Sequence, residues 1–259
     1  MLEGLNGRTA IVTGAAAGIG AATCRRLHRE GSNVVGVDRD EDGLNKLVAE
    51  LGGERLVTLT ADVTDESETD RYFATAVDAF GSVDLFHANA GIDPGVVPVT
   101  DLDVRDFDRV FAVNVRGTFL GARAAVRQMS QQPDRGKIVF TSSISGLKGD
   151  AGVAVYAASK HAVNGFAKAL AKETGPLGIR VNVVCPGPVR TAMMDRLEAG
   201  LGSLAGADAE GVRAALATVI PLGRYGEADE IAATVVWLLS DEVPYMHGEI
   251  VTVGGGLYP

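Results

Sequence analysis

The sequence predicts one α/β domain built on a doubly wound, seven-stranded parallel sheet with helices on both faces. Seven short apolar runs alternate with helical patterns, a glycine turn joins the first run to the first helix, and no repeat or low-complexity linker interrupts the order. Such alternation requires right-handed crossovers, which place helices over both faces of the sheet. With 259 residues, 46% of them hydrophobic and 5% aromatic, the chain can bury one large core and is long for two small ones. The expected unit is residues 1–259.

The first strand, Arg8-Thr-Ala-Ile-Val-Thr, leads into Gly14-Ala-Ala-Ala-Gly-Ile-Gly20 and a helical pattern from Ala21 to Glu30. Gly14 permits a sharp turn and Gly18 a close backbone approach to a pyrophosphate. Gly20 lets the helix pack on the strand, so that the amides around Ile19 face the anion. Asn33-Val-Val-Gly-Val-Asp38 is a second strand. Asp38 lies about twenty residues past the glycines, where an acid can accept hydrogen bonds from an adenosine ribose, and it is also placed to cap a turn or helix. Arg55 to Thr60 is a third strand, Glu66 to Phe80 a helix, and Val83 to His87 a fourth strand running into Asn89-Ala90-Gly91. His87 reads as a satisfied core histidine. Asp103 to Met129 is a long amphipathic helix with Asn114 in its interior, an unfavourable place for asparagine unless it has a polar task.

Lys137-Ile-Val-Phe-Thr-Ser is a fifth, buried strand that delivers Ser143 at its C-terminal end, where open α/β sheets bind ligands. The helix after it carries Tyr156 and Lys160, four residues apart and therefore on one face. A free phenol titrates near ~10, and a neighbouring ammonium brings it towards the range of a general acid/base. Ser143, Tyr156 and Lys160 thus place a hydroxyl, a phenol and an amine together. A sixth strand from Ile179 runs into Cys185-Pro-Gly-Pro-Val-Arg-Thr191. Ala192 to Ile220, rich in Ala, Gly, Leu and Met, shows no strand and suits a cover over a pocket from about residue 191. Glu227 to Leu239 is a helix, and the run from His247 a closing strand.

These motifs resemble the short-chain dehydrogenase/reductase family over almost the whole chain. The family's Tyr-x-x-x-Lys with a serine thirteen positions earlier is matched by Tyr156, Lys160 and Ser143, and its Thr-Gly-x-x-x-Gly-x-Gly by residues 13–20. The resemblance implies a Rossmann-like fold and hydride transfer between a nicotinamide cofactor and a secondary alcohol or ketone. Tyr156 would be the acid/base, Lys160 would hold the nicotinamide ribose, Ser143 would steady the substrate oxygen, and Asn114 would kink its helix and hold a relay water. It further implies that Asp62 and Val63 border adenine, that Asn89, Ala90 and Gly91 line the cofactor, and that Pro186, Gly187, Val189 and Thr191 hold the nicotinamide carboxamide. Asp38, with Ala17 where NADP-preferring members often carry a basic residue, favours NAD; Arg39 keeps NADP open. In the family the helices from Asp103 and Tyr156 form the main dimer contact of a homotetramer. Two departures stand out: Ala88 replaces the first residue of Asn-Asn-Ala-Gly, and Gly254 replaces an aspartate.

A formal net charge of −9 and a pI near 5.0 exclude a nucleic-acid or anionic-membrane surface. Cys24 and Cys185 have no metal-ligand spacing, and 4 histidines with no paired motif make no metal site. The N-terminus lacks the basic and apolar regions of a signal peptide, and no run approaches a membrane span, so a soluble cytoplasmic protein is expected. Three stretches, Asp93 to Thr100, Ser145 to Val155 and Arg190 to Leu204, should converge as an apolar pocket wall. They imply an uncharged apolar or alicyclic small-molecule substrate. The competing readings are a non-catalytic nucleotide sensor, which would have lost one of the four polar residues, and an NADP-dependent 3-oxoacyl carrier-protein reductase, in which a basic residue often stands where this chain has Leu177.

Overall fold

A computed structural model of the chain describes residues 1–258, the side chain of Leu204 excepted. Pro259, the last residue of the expected domain, and the Leu204 side chain at the end of the expected pocket wall lie outside the described residues.

The strands are β1 (Thr9–Thr13), β2 (Asn33–Asp38), β3 (Leu56–Thr60), β4 (Leu85–Ala88), β5 (Lys137–Thr141), β6 (Arg180–Pro186) and β7 (Ile250–Val253). All pair in parallel, in the order β3-β2-β1-β4-β5-β6-β7. The chain winds outwards in one direction from β1 to β3 and in the other from β4 to β7. The crevice beyond the C-terminal ends of β1 and β4 is therefore the switch point where such sheets bind ligands.

The helices are α1 (Gly18–Arg29), α2 (Glu41–Leu51), α3 (Glu66–Phe80), α4 (Val104–Phe111), α5 (Thr118–Ser130), α6 (Ala154–Thr174), α7 (Ala192–Ala205), α8 (Ala209–Val219) and α9 (Ala228–Leu239). Alternate strand residues feed two cores. Phe86 and Phe140 pack with Phe73 of α3 and Val163 and Ala167 of α6, while Leu85 and Val139 pack with Leu27 of α1 and Val235 of α9. Burial on both faces is why the strands read as continuous apolar runs rather than alternating ones.

Two elements are more specific than expected, and the first matches the kink at Asn114 that the resemblance implies. The helix expected from Asp103 to Met129 is interrupted between α4 and α5 by a π-helical turn, Ala112–Gly117, with Asn114 inside it. Wide turns of this kind free backbone groups from the regular ladder and recur at functional sites. The stretch after Thr191, expected as a strandless cover with an amphipathic helix over Met193 to Leu204 as the alternative, is a helical hairpin of α7 and α8. Gly206 ends α7 in the left-handed region, and Asp208 caps α8.

Candidate active site

The glycine turn after β1 is built by close approach. A Cβ on Gly20 would stand 1.9 Å from the Gly14 carbonyl oxygen, and one on Gly14, whose φ is 68°, would stand 2.8 Å from Asn89 Nδ2. Asn89 Nδ2 donates to the Thr13 carbonyl at 3.1 Å. The amides of Asn89 and Ala90 donate to Thr13 Oγ1 at 3.0 and 3.1 Å, which locks the loop after β4 onto the glycine turn. α1 opens on Ala17 with no side-chain cap and no acid in its first turn, whereas Asp40, Asp65 and Asp103 cap α2, α3 and α4. The amides around Gly18, Ile19 and Gly20 thus remain available to an anion at the positive end of the helix dipole. Thr191, the cap of α7, faces them from the far side of the crevice: a Cβ on Gly18 would lie 3.3 Å from its Cγ2.

Asp38 ends β2 with its carboxylate turned to backbone. It accepts from the amides of Ala16 at 3.0 Å, Arg39 at 2.7 Å and Asp40 at 3.1 Å, so the carboxylate fixes both the glycine turn and the turn into α2. Arg39 Nε lies 3.9 Å from Asp62 Oδ2. Val63 is buried against Gly117, where a Cβ would come within 2.8 Å of its Cγ2. Pro186 ends β6 and Gly187 follows it. Gly187 bonds to the Val253 carbonyl, and a Cβ on it would meet Gly254 Cα at 2.8 Å, so the glycine standing where the family has aspartate contributes to a tight backbone crossing. Val189 is buried and bridges to Gly226.

Asn114, Ser143, Tyr156 and Lys160 come together beside this crevice. Ser143 caps a short 3-10 turn, Ile144–Gly146, just past β5. Tyr156 and Lys160 face the same way from α6, with Lys160 Nζ 5.6 Å from the centre of the Tyr156 ring and donating to the Thr141 carbonyl at 2.9 Å. Gly91 closes the group: a Cβ there would stand 3.2 Å from Lys160 Nζ and 3.4 Å from Asn114 Oδ1. Asn114 clamps Ile92 from both sides, accepting from its amide at 2.8 Å and donating to its carbonyl at 2.9 Å. It also donates to Ser159 Oγ at 3.0 Å, and its own carbonyl accepts from Thr118 Oγ1 at 2.8 Å.

Burial governs the charges here. The Tyr156 ring is half-buried by accessible surface, yet the packing around it pushes the phenol up to about 12, against a lowering by the Ser143 hydroxyl and with the Asp93 carboxylate adding to the rise. The Lys160 ammonium, almost wholly enclosed, is pushed down to about 8. Spacing alone points only to the lysine's pull on the phenol. In the structure desolvation is the larger influence on both groups, and the neutral phenol is strongly favoured.

The three expected pocket stretches do converge. Val96 is wedged between Gly152, where a Cβ would meet it at 2.5 Å, and Gly200 of α7, at 3.1 Å, while the Val97 amide bonds to the Gly152 carbonyl. This wall also holds an ion pair to a buried carboxylate, which lies outside the expected apolar lining. The side chain of Asp93 is 2% exposed and holds Arg196 of α7 across the cleft at 3.1 Å, while its other oxygen accepts from the Gly95 amide. Only the placement of Asp93 just past Asn-Ala-Gly and of Arg196 on the cover could have suggested the pair. His87 is buried as expected but half satisfied, with Nδ1 lacking a partner. Among the described residues there is no cluster of three or more groups suited to a metal ion, and no helix is long and apolar enough to cross a membrane.

Comparison with known proteins accords with this geometry. A family model described as enoyl-(acyl carrier protein) reductase matches residues 14–258. The chain is 36% identical to levodione reductase of Leifsonia aquatica, over 96% of this chain and 93% of that protein, and a crystal structure of levodione reductase superposes with a TM-score of 0.92, covering 97% of both chains. It is 35% identical to an (S)-acetoin-forming diacetyl reductase of Staphylococcus epidermidis, over 96% of this chain and 98% of that one. A 3-ketoacyl-(acyl-carrier-protein) reductase from Brucella melitensis, solved with NADH, superposes with a TM-score of 0.88 at 28% identity, covering 98% of this chain and 99% of the other. The chain belongs to the short-chain dehydrogenase/reductase family. Within that family it is an NAD(P)-dependent alcohol dehydrogenase or ketoreductase.

Proposed function

We propose that the chain is an NAD-preferring reductase of neutral, largely apolar or alicyclic ketones, with Tyr156 as the proton donor. The observation that carries this is the meeting of Tyr156, Lys160, Ser143 and Asn114 at the switch-point crevice, opposite an uncapped helix N-terminus. The residues fit the dinucleotide. The cradle of Gly14, Gly18 and Gly20 with the α1 amides would hold its pyrophosphate, Asp38 its adenosine ribose, and Asp62 and Val63 its adenine, while Asn89, Ala90 and Gly91 would line the dinucleotide towards Lys160. Pro186, Gly187, Val189 and Thr191 would hold its carboxamide. When bound, the nicotinamide supplies the hydride.

This chain's own residues do the rest. Ser143 orients the substrate oxygen, and the neutral Tyr156 phenol donates its proton as charge develops on that oxygen. Lys160 then stabilises the phenolate left behind. Asn114 fixes Ile92, and with it the loop that carries Gly91 against Lys160. A phenol held neutral suits ketone reduction at neutral pH; alcohol oxidation, which needs the phenolate, should require alkaline pH.

A single domain with α7 and α8 as its cover also belongs to this reading, supported by the Asp93–Arg196 pair across the cleft. So does self-association. An open apolar groove of about 530 Å³ lies away from the crevice, between the α4–α5 turn and α6, lined by Phe111, Phe119, Val163 and Phe166. Two buried free cysteines are in keeping with the reducing cytoplasm. The test is a panel of ketones with NADH and NADPH, run on the native chain and on Tyr156→Phe. The variant should bind cofactor and lose about 10² or more in turnover. Retention of most of the rate, or a panel dominated by carboxylates or phosphates, would overturn the reading.

A further inference from the structure

β4 carries a polar side chain for which the proposed reaction has no direct use. His87 is fully buried in the sheet, and burial drives its imidazole down to about 3, so it is neutral throughout the working range. Its Nε2 makes a 2.7 Å hydrogen bond with Thr141 Oγ1, and its Nδ1 is left without a partner. An apolar residue would fill this place without stranding a polar atom. The bond to Thr141 must therefore offset that disadvantage or serve the site.

Thr141 is where the bond matters. It is the last residue of β5, and its carbonyl is the acceptor for Lys160 Nζ at 2.9 Å. The pairing of β4 with β5 ends at Ala88 and Phe140, one residue short of it. The His87 imidazole, opposite Val139 in the ladder, reaches diagonally to Thr141 and ties the strands one step beyond their last backbone contact. The His87 carbonyl also accepts from Thr13 Oγ1 at 3.5 Å, the hydroxyl that receives the Asn89 and Ala90 amides. One buried histidine thus links the turn after β4 to the residue from which the lysine hangs.

We infer that His87 is a positioning residue for Lys160: its imidazole pins Thr141, and the Thr141 carbonyl holds the ammonium against the Tyr156 ring. This rests on the proposed reading of Tyr156 and Lys160 as the proton-handling pair. The ionisable groups facing Lys160 and Tyr156 are each other, the Cys185 thiol from β6, which burial pushes up and keeps uncharged, and the Asp93 carboxylate from the loop after β4, which raises the phenol; His87 is shifted by burial.

His87→Val keeps an apolar strand-forming side chain and removes the bond. Thr141→Val removes it from the other side while leaving the carbonyl. Each should fold, as judged by its melting transition, and lower kcat for ketone reduction about 3- to 10-fold, the scale of one hydrogen bond, with little change in KM for the ketone. A less firmly held ammonium supports the phenolate less well, so the acid limb of the alcohol-oxidation pH profile should move to higher pH in both variants. The double variant should be no worse than either single one. His87→Gln, whose amide can reach Thr141, should recover most of the rate. An unchanged rate and pH profile in folded His87→Val, fully additive losses, or a loss of rate with an unmoved profile would overturn the inference. Tyr156→Phe, assayed alongside, separates the two readings. If that variant is inactive while His87→Val is unaltered, only the positioning role falls; if it is active, both fall.

Discussion

Asp38 offers a prediction whose size follows from its contacts. Its carboxylate accepts from three backbone amides, one of them that of the half-buried Ala16 in the glycine turn. Asp38→Ala strands the Ala16 amide, at a cost of about 1–3 kcal/mol, which for a chain of this length lowers Tm by roughly 2–4 °C per kcal/mol. The same variant removes the charge that would face a 2′-phosphate. Two unit charges about 4 Å apart repel by about 1 kcal/mol in water and about 4 kcal/mol at a protein surface. Half-burial puts the value between these limits, so NADP use should rise by roughly 10-fold or more. Loss of charged hydrogen bonds to the ribose, about 1.5–3 kcal/mol, should lower kcat/KM for NAD by roughly 10- to 100-fold. Asp38→Asn separates the effects, since its carbonyl can still receive the Ala16 amide while the charge is gone: Tm should stay near the native value while the cofactor preference shifts. The assay is kcat/KM with each cofactor for the three proteins, together with their melting curves. Equal use of both cofactors by the native chain, or an unshifted preference in Asp38→Asn, would refute the assignment.

Three further outcomes are expected. Lys160 has a folded pKa near 8 against about 10.4 unfolded, so between these values the unfolded chain binds more protons and stability rises with pH, the cost of the buried ammonium being present in full below about pH 8. Lys160→Met should therefore be more stable than the native chain at pH 7, by at most about 3 kcal/mol less the lost bond to Thr141, and lose that advantage by about pH 10; a Tm difference that does not change with pH would contradict this. Phe119→Asp, in the groove beside α6, should reduce the mass seen by light scattering from that of a tetramer, and a monomeric native protein at micromolar concentration would remove the groove from assembly. Arg196→Gln leaves the buried Asp93 carboxylate unpaired, so hydrogen exchange over residues 192–220 should quicken and KM for the ketone should rise; equal protection in both proteins would show that the pair does not hold the cover.

The parts of this molecule legible in the sequence are those fixed by short-range rules. Alternating apolar runs and helical patterns gave seven strands, because the central strands are buried on both faces and the half-buried edge strands β3 and β7 keep apolar runs of their own. Gly14, Gly18 and Gly20 could be placed from spacing alone, since a side chain at Gly20 would collide with Gly14 itself, six residues away. Tyr156 and Lys160 were legible because four residues make one helical turn. What could not be read depends on contacts between distant segments or on the balance of solvation. Nothing near Asn114 in sequence announces Ile92 as its partner, and nothing near Asp93 announces Arg196, 103 residues later. For the cover, the sequence suggests a strandless lid or an amphipathic helix over Met193 to Leu204, but not the pairing of two helices, because they are held by side chains whose partners emerge in three dimensions: Arg213 of α8 grips the buried Glu198 of α7 and also reaches Asp195. The charge state of the site was misjudged for a related reason. Spacing reveals that an ammonium lies near a phenol, and a pairwise argument then lowers the phenol. Only the enclosing structure shows that both groups have lost enough water for desolvation to dominate, raising one and lowering the other. That outcome gives the resting site a neutral phenol beside a lysine still mostly charged at neutral pH, the combination on which the proposed ketone reduction would draw as negative charge appears on the substrate oxygen.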